Sequence, residues 1–486
     1  MDIAFDNSFH DSMEGFYAPA EAAKPSAPRL LVFNRPLADR LGIDVADASD
    51  DQLARLFSGE EMPGGANPLA LAYAGHQFGH FSPQLGDGRA LLLGELVAPD
   101  GARFDIQLKG SGPTPFSRNG DGKAAVGPVL REFLISEAMV AMGVPTTRSL
   151  AAVATGDRVQ REQAHPGAVL TRVASSHIRV GTFQFFAAHF GVDHVVQLSD
   201  YSVRRHFPDL GAAPNPHLAL LDRVIGLQCN LVARWLGVGF IHGVMNTDNV
   251  AISGETIDYG PCAFMDRFSV NTVFSSIDAN GRYAYGRQPQ IMHWNMARFA
   301  EALLPAIHAV DPDGVERAKQ LVDAIPERFR AEWHARMRAK LGLEGIAADD
   351  GALIDALFDR LEEHRIDFTS FFRALAMLLR GEGRALEGLL PASDAMAPWI
   401  AEWWERIEGG GSPLDRADAM DRENPLYIPR NHLVEAALGA AEAGDLAPWS
   451  ELLEVVRHPY ARRPEWSLFE APAPAEFGPY KTFCGT

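Results

Sequence analysis

The hydrophobic pattern predicts a helix, a polar loop and a short hairpin near the middle of the chain. Apolar residues recur at helical spacing from 216 to 236, and the pattern stops at Gly237 and Gly239, a residue type that commonly ends helices. A polar loop follows. Two short apolar runs, 250–252 and 256–257, come next, and their closeness predicts a tight hairpin.

Strand-like runs dominate the first half of the chain. Four such runs are residues 90–97, 104–109, 149–154 and 168–173. The second alternates apolar and polar residues, which is typical of a half-buried strand. A hairpin-like excursion separates the last two. These runs predict a mainly β region in an α+β protein.

One helix interrupts these strands. Residues 123–142 carry apolar positions at helical spacing, and Pro145 lies just beyond the end of the pattern. Lys109 ends the preceding strand, and a nucleotide-binding lobe uses a strand lysine to hold phosphates and to pair with a glutamate on the next helix. Glu132 is the expected partner, with Glu137 as the competitor.

The second half of the chain is predicted to be helical. The helical stretches are 293–308, 314–341, 351–364, 367–379, 398–407 and 433–443. None of them carries a recognisable catalytic constellation. This half is therefore expected to support the site.

Length and charge narrow the functional classes. A chain of 486 residues is expected to form two or three packed units. Its net charge of −19, from 44 basic and 63 acidic residues, excludes a general nucleic-acid or anionic-membrane surface. The cysteines, Cys229, Cys262 and Cys484, are too few for a disulfide framework. No signal peptide or membrane-spanning run is apparent, so we expect a cytoplasmic protein.

The central loop has the residue order of a kinase-type nucleotide site. His-Gly opens it at 242–243, Asn249 follows, and Asp258 begins an Asp-Tyr-Gly triplet. In kinases such an Asn and Asp hold the metal ions that bridge the phosphates. The usual base position, two residues after the His, is occupied by Val244, and Asp248 is the only acid in the loop. Either the site is inactive, or it runs a different reaction with Asp248 as the base.

Several further stretches admit two interpretations. Gly86-Asp87-Gly88 is either a hairpin turn or a glycine loop that lets a phosphate approach, with Arg89 supplying charge. Arg172 and Arg179 lie in a stretch of otherwise small and apolar residues. They either form an anion-binding site or make structural ion pairs. His76 and His80 have metal-pair spacing, but the adjacent glycines break the helix that such a pair needs.

Longer motifs bring these pieces together. They are Gly-His-Gln-Phe-Gly at 75–79, Gln-Leu-Gly-Asp-Gly-Arg at 84–89, Gln-Leu-Lys-Gly-Ser-Gly-Pro-Thr-Pro-Phe-Ser-Arg at 107–118, Arg-Glu-Phe-Leu-Ile-Ser-Glu-Ala at 131–138 and His-Gly-Val-Met-Asn-Thr-Asp-Asn at 242–249. Together they resemble the selenoprotein O family, and the match covers nearly the whole chain.

The resemblance implies a protein-kinase-like bilobal fold: a mainly β N-lobe with an αC-type helix, a helical C-lobe and an extended helical C-terminal part. It implies a division into a scaffold extension (1–70), an N-lobe with the nucleotide pocket (71–200), a C-lobe core (201–300) and a helical extension with a cysteine-containing tail (301–486). It also implies an ATP that is reversed relative to kinases. Such an enzyme transfers AMP to Ser, Thr or Tyr hydroxyls of proteins and releases pyrophosphate.

The resemblance assigns roles to matching positions. Gly86, Gly88, Arg89, Lys109, Glu132, Asp121, Gly122, Arg172, Arg179 and Asp258 would form the nucleotide pocket, with Lys109 paired to Glu132. Asn249 and Asp258 would bind Mg²⁺, with Mn²⁺ as the other candidate. Asp248 would take the proton from the attacking hydroxyl.

One departure concerns cysteine chemistry. Eukaryotic members of the family end in a selenocysteine motif, and some bacterial members pair a C-terminal cysteine with one in the activation segment. Here Cys484 is present, but residues 273–276 of that segment contain no cysteine, and Cys262 is the remaining candidate. A redox partner acting through Cys484 is a further expectation. Two rival functions stay open at this point: a kinase that transfers the γ-phosphate, and a non-catalytic nucleotide-binding scaffold.

Overall fold

The computed structural model describes residues 3–390 and 396–483. The protein is mixed α+β, with 48% of its residues in helices and 16% in strands. Its strands are β1 (Tyr17–Pro19), β2 (Arg29–Phe33), β3 (Leu69–Leu71), β4 (Gly75–Gln77), β5 (His80–Ser82), β6 (Ala90–Val97), β7 (Arg103–Lys109), β8 (Ala124–Ala125), β9 (Arg148–Gln160), β10 (Ala164–Ala174), β11 (Phe240–Ile241) and β12 (Ala263–Phe264).

Helices fill the intervals between strands and most of the second half. They are α1 (Ser8–Ser12), α2 (Arg35–Leu41), α3 (Asp50–Ser58), α4 (Val126–Ala141), α5 (Val180–His189), α6 (Val192–His206), α7 (Pro216–Gly237), α8 (Gln288–Val310), α9 (Gly314–Asp323), α10 (Ile325–Leu341), α11 (Asp350–His364), α12 (Phe368–Leu379), α13 (Arg384–Glu387), α14 (Ala397–Ile407), α15 (Pro413–Glu423), α16 (Asn431–Glu442) and α17 (Ala447–Val456). The long central helix and the C-terminal helices predicted from the sequence are present, except that the predicted helix 314–341 is divided into α9 and α10.

An antiparallel sheet forms the first half of the protein. Its strand order is β1-β3-β6-β7-β10-β9-β2, and β8 pairs with β10. Both edge strands come from the first 70 residues, so this stretch is built into the sheet. The predicted strand 90–97 coincides with β6, whereas β9 and β10 extend well into the predicted excursion between them.

Helices cover both faces of the sheet. Apolar side chains of α2 and α3 pack with one face, and α4 packs with the other. Because both faces are covered, the expectation that the strand at 104–109 is half-buried is wrong. The corresponding β7 is fully buried along most of its length. Its polar side chains are tolerated there because they form hydrogen bonds and ion pairs: Asp105 with Arg205, Gln107 with Asp87, and Lys109 with Glu132.

The predicted hairpin at 250–257 does not form. Ala251 instead forms an antiparallel bridge with Arg179, and Thr256 forms a parallel bridge with Thr146. Both runs are therefore held by segments that are distant in sequence, a source of pairing that a local hydrophobic pattern cannot reveal. Helix α4 also begins at Val126, later than predicted, because Ala124–Ala125 pairs with β10.

The C-terminal helices return to pack on α4. Trp449 of α17 stacks edge-on against Phe133, with 5.6 Å between ring centroids, and its indole nitrogen donates to the Leu130 carbonyl. The final described residues bridge to residues 274–276 through Thr482. Cys484, for which we expect a redox partner, lies outside the described residues. Within the described parts of the chain, no helix has the combined length and apolar character that a membrane span requires.

Candidate active site

A cavity of about 700 Å³ brings together the predicted site residues. They come from strands β7 and β10, from the loops at 86–89 and 120–123, from the residue that precedes α5, and from the segment 244–261 that includes the central loop. The cavity walls include Gly86, Gly88, Arg89, Lys109, Asp121, Gly122, Arg172, Arg179, Asp248, Asn249 and Asp258. Glu132 alone among the predicted residues does not line it. That carboxylate lies directly behind the wall, where it contacts two of the cavity's basic side chains.

Three cations converge on Asp258. Its carboxylate oxygens lie 2.7 Å from Lys109 Nζ, 2.6 Å from Arg172 Nη2 and 2.8 Å from Arg179 Nη1. Burial alone would favour the neutral acid, but the positive charges of Arg172, Lys109 and Arg179 prevail and hold the pKa of Asp258 well below its ordinary value. Asp258 is therefore ionised at neutral pH.

Glu132 on α4 supports this cluster from behind. Its carboxylate accepts from Lys109 Nζ at 2.6 Å and from Arg172 Nη2 at 2.7 Å. Although burial opposes ionisation, Arg172 and Lys109 lower the pKa of Glu132. The competing candidate, Glu137, instead pairs with Arg148 on β9.

The backbone around Asp258 is fixed by several contacts. Asp258 has a φ of 65°, in the left-handed region that non-glycine residues rarely adopt. The buried His242 holds the residue before it, with Nε2 lying 2.9 Å from the Ile257 carbonyl oxygen. Strands β11 and β12 pair at the two ends of the segment that contains both residues. Left-handed strain at Asp258 is thus sustained by its surroundings.

Asp248 is the buried acid of the central loop. Burial raises its pKa to about 6, close to the pH at which a general base is most effective. One carboxylate oxygen, Oδ2, accepts weakly from Gln77 at 3.4 Å, while Oδ1 has no hydrogen-bond partner within the described residues. An unpartnered buried carboxylate oxygen in a cavity wall is suited to accept a proton or to face a cation.

The hairpin formed by β4 and β5 packs against the central loop and fixes it through hydrogen bonds. The backbone N–H of His76 donates to Thr247 Oγ1 at 2.7 Å, and that of Phe78 donates to Asn246 Oδ1 at 3.1 Å. Gly75 lies so close to Asp248 that a Cβ atom there would overlap the carboxylate. The sequence did not indicate this role for the Gly-His-Gln-Phe-Gly motif. His76 is placed by a second contact, since its Nδ1 lies 2.9 Å from Gln184 Nε2.

The Gly86-Asp87-Gly88 stretch is a loop and not the turn of a hairpin, because β5 pairs with β4. Asp87 anchors it through a buried carboxylate that accepts from Leu71 N–H at 3.2 Å and from Gln107 Nε2 at 3.1 Å. Residues 110–123 fold over this loop, and a Cβ at Gly88 would lie 2.8 Å from the Phe116 carbonyl oxygen. Close packing therefore supplies one reason for the glycines.

Sequence reasoning missed at least six residues of the site. Two are the basic side chains Arg118 and Lys123 of the cavity wall, and four more form specific contacts around it. Tyr73 stacks under the Arg179 guanidinium at 4.7 Å, and Arg161 forms a two-nitrogen ion pair with Asp121 at the cavity rim. Asp87 and Phe116, described above, are the other two. Tyr73, Asp87 and Phe116 lie within or beside the motifs identified in the sequence. Their closeness to those motifs was the signal that could have indicated them. Arg161 lies in the turn between β9 and β10, outside every motif, so no sequence signal indicated it.

The oxygen donors near Asp258 fit a hard divalent cation. Asn249 donates through Nδ2 to the Val244 carbonyl at 3.0 Å, which leaves its side-chain oxygen available as a ligand. Among the described residues, no cluster of three or more His, Cys, Asp or Glu side chains could hold a metal by itself. That donor set suits Mg²⁺, which is usually bound by one or two carboxylates together with phosphate oxygens.

Comparison with known proteins decides the family. The model of the family described as protein adenylyltransferase SelO matches residues 1–457. The chain belongs to the SelO family. A relative named protein nucleotidyltransferase YdiU from Sphingopyxis alaskensis is 79% identical over 487 residues, covering both chains completely. The chain is also similar to two relatives of the same name. The one from Cereibacter sphaeroides is 54% identical over 488 residues, with both chains covered completely. The one from Chromobacterium violaceum is 54% identical over 474 residues, which cover 97% of this chain and 99% of the relative.

Membership of the SelO family makes the protein a nucleotidyltransferase. This removes the non-catalytic scaffold as a description of the chain. It also agrees with the cavity, in which the ionised Asp258, the buried Asp248 and a set of cationic side chains line one space.

Proposed function

We propose that the protein transfers AMP from ATP to Ser, Thr or Tyr hydroxyls of other proteins and releases pyrophosphate. The observation that carries this proposal is the charge of the cavity. Seven Lys or Arg side chains line it against four Asp side chains, in a chain whose net charge is −19. Such a local excess of positive charge suits a polyphosphate ligand.

Lys109, Arg172 and Arg179 would bind the phosphates from the inner end of the cavity. Their charges are met by the carboxylates of Asp258 and Glu132, with separations of 2.6–2.8 Å. Phosphate oxygens would compete for the same donors. Nucleotide binding would thereby weaken the ion pairs between these cations and Asp258.

The outer part of the cavity would hold the remainder of a reversed nucleotide. Gly86, Gly88 and Arg89 would line it on one side, and Asp121 with Gly122 on the other. A nucleotide turned around relative to kinases presents its α-phosphorus, and not its γ-phosphorus, to the acceptor. The basic residues of this region support an anionic occupant, where a kinase would hold adenine.

Asp248 would act as the general base. It is the acid of the loop, its pKa of about 6 leaves it mostly ionised at pH 7, and Val244 occupies the kinase base position. An ionised Asp248 would take the proton of the acceptor hydroxyl as that oxygen attacks the α-phosphorus. Arg179 donates to the Asp248 carbonyl oxygen at 2.7 Å, which would keep the base aligned with the phosphate-binding cations.

We further propose that Asn249 and Asp258 hold the divalent ion, Mg²⁺ or Mn²⁺. When bound, such an ion would neutralise charge on the reacting phosphate and on the departing pyrophosphate. Asn249 contributes a neutral oxygen and Asp258 an ionised carboxylate. This combination leaves coordination positions for phosphate oxygens.

The same residues support a protein-kinase-like bilobal arrangement with the four-part division given by the sequence. An ion pair joins a strand lysine, Lys109, to a helix glutamate, Glu132, as in the kinase lobe that binds ATP. Helix α4 would then correspond to the kinase αC helix. The loop that contains Asp248 and the triplet that begins at Asp258 would correspond to the catalytic and metal-binding loops.

A paired label-transfer assay tests the proposed reaction. The purified protein is incubated with Mg²⁺, a nucleotide-depleted cell extract as acceptor, and ATP labelled at either the α or the γ phosphate. Label should enter protein from the α position alone and be lost with Asp258→Ala. Label from the γ position alone would identify a kinase and overturn the proposal. Leu468→Gln, at a side chain 80% exposed, serves as a matched purification control.

A further inference from the structure

A second cavity adjoins the nucleotide cavity. It has a volume of about 580 Å³ and lies between residues 277–282 and the start of α8. The two cavities share Phe78 and Ile277 in their walls. We name this second cavity the α8 groove. A chain segment lying in it would pass directly into the space that Asp248 faces.

The α8 groove carries positive charge without matching negative charge. Arg282 and Arg287 both line it, and neither forms an ion pair with any described carboxylate. Arg282 Nε is buried and lacks a hydrogen-bond partner within the described residues, while Arg287 makes only a long contact to the Asn280 carbonyl at 3.4 Å. Two guanidiniums are thus available to a ligand.

Among the described residues that line the groove, one is acidic, and its carboxylate is already bound within the fold. Asp278 is buried, and its two oxygens accept from the backbone N–H groups of Arg282 and Tyr283, both at 2.8 Å. Its charge therefore stabilises the turn that presents Arg282. An occupant of the groove would therefore meet the guanidiniums of Arg282 and Arg287, which line it, as the dominant charges.

An aromatic side chain orients Arg282. The guanidinium carbon lies 4.9 Å from the Trp294 ring centroid, a cation–π separation. The neighbouring Tyr283 donates to Asn246 Oδ1 at 2.6 Å, so the groove wall is tied to the loop that contains Asp248. Binding in the groove and presentation of a hydroxyl to Asp248 would then share one rigid support.

We propose that the α8 groove binds an acidic segment of the acceptor protein, next to the hydroxyl residue that receives AMP. Charge complementarity selects this occupant, because Arg282 and Arg287 are uncompensated in a protein of net charge −19. Carboxylates pair well with guanidinium groups, and such pairs favour specificity and encounter. The inference rests on the proposed AMP transfer and names the acceptor class for that reaction.

Peptide acceptors provide the test. Three Ser-containing peptides of one length are compared, with Glu, Gln or Lys at the positions flanking the Ser, using α-labelled ATP. The Glu peptide should show a kcat/KM about tenfold above that of the Gln peptide, mainly through KM, and the Lys peptide should be poorest. Arg282→Gln combined with Arg287→Gln should abolish the difference between the Glu and Gln peptides.

Arg298→Gln is the matched control. Arg298 packs on the same indole, 5.2 Å from the Trp294 centroid, but it pairs with Glu301 and does not line the groove. This variant should keep the preference for the Glu peptide. Equal use of all three peptides by the unmodified enzyme, or a preference that survives the double variant, would overturn the groove assignment while leaving AMP transfer intact.

A binding measurement covers the case in which no peptide is labelled. Fluorescence anisotropy of the dye-labelled Glu peptide should report binding to the unmodified protein and to Arg298→Gln, with at least a tenfold weaker Kd for the double variant. Equal binding by all three proteins would overturn the inference. Failure of AMP transfer itself would appear separately, as an absence of α-label in both peptides and cell extract.

Discussion

At the scale of single residues, the chemistry depends on how burial and charge divide the acids of one cavity. Asp258 is kept ionised by three cations, whereas Asp248 is buried with a single weak side-chain donor, Gln77. Two carboxylates in one space are thereby given different charge states and surroundings, which suits the roles that we propose for them, a charge centre and a base. Environment, more than residue type, separates their roles.

The raised pKa of Asp248 predicts an acid limb in the rate profile. Because the ionised form is the active base, kcat/KM for AMP transfer should be level above its pKa of about 6 and fall about tenfold per pH unit below it. Asp248→Asn should lower the rate by at least about 100-fold at pH 7. A rate that stays level down to pH 5, with the fold intact by circular dichroism, would exclude Asp248 as the base.

The buried Glu132 is expected to matter for stability as well as for activity. Glu132→Gln leaves Lys109 and Arg172 with one counter-charge fewer in a buried cluster. Breaking a buried pair in this way typically costs about 3 kcal/mol of unfolding free energy, measurable by denaturant titration. Asp51→Asn removes the exposed partner of Arg55 and should change stability little. Equal effects of the two substitutions would argue against the buried cluster.

Most site residues could be recognised from sequence because they lie inside long motifs. Their partners could not, because pairing depends on which strand lies beside which. Glu132, in the middle of the helix after Lys109, is the expected partner of that lysine, with Glu137 as the competitor, and the structure has the Lys109–Glu132 pair. The contact between Arg161 and Asp121 joins two exposed turns, and no local pattern signals it.

At the scale of elements, the hairpin of β4 and β5 acts as a clamp on the central loop. Gly75→Ala should lower the transfer rate by about 100-fold, because the added methyl group would displace the Asp248 carboxylate. Gly439→Ala, in α16 with no atom near the added methyl, is the control and should leave the rate unchanged. A fully active Gly75→Ala variant would show that the base tolerates displacement.

The spacing of apolar residues predicted the ends of an element correctly where the element does not pair with residues distant in sequence. The period from 216 onward identified α7, whose end at Gly237 and start after the capping Asn215 follow local signals. The expected hairpin at 250–257 failed because its two runs pair with residues 179 and 146. Strand β7 was expected to be half-buried, and its polar side chains are instead buried in hydrogen-bonded pairs. Both errors arise from neighbours that are distant in sequence.

At the scale of the whole molecule, the C-terminal helices close onto the helix that carries Glu132. Trp449 fills the contact between α17 and α4 and is almost fully buried. Trp449→Ala should cost about 3–5 kcal/mol of stability, and it should raise the KM for ATP because α4 loses support behind the Lys109 pair. Trp449→Phe keeps the ring contact and should be milder. An unchanged KM well below the melting temperature would show that α4 is held by other contacts.

The division of labour between the two halves of the chain follows from this packing. The N-terminal half supplies the cations and the glycine loop, and the central loop supplies the acids and Asn249. The helical half contributes packing behind α4 and, through α8, one wall of the α8 groove. The sequence identified the helical half as support for the site, but the groove and the contact with α4 depend on three-dimensional packing.

The central claim is that AMP, and not phosphate, is transferred to a protein hydroxyl. Mass spectrometry of a purified acceptor after incubation with the enzyme, Mg²⁺ and unlabelled ATP tests this most directly, with pyrophosphate and ADP quantified in the same reaction. The expected result is an acceptor heavier by one AMP on a Ser, Thr or Tyr residue, with one pyrophosphate released per modification. An acceptor heavier by one phosphate, with ADP as the other product, would contradict the claim.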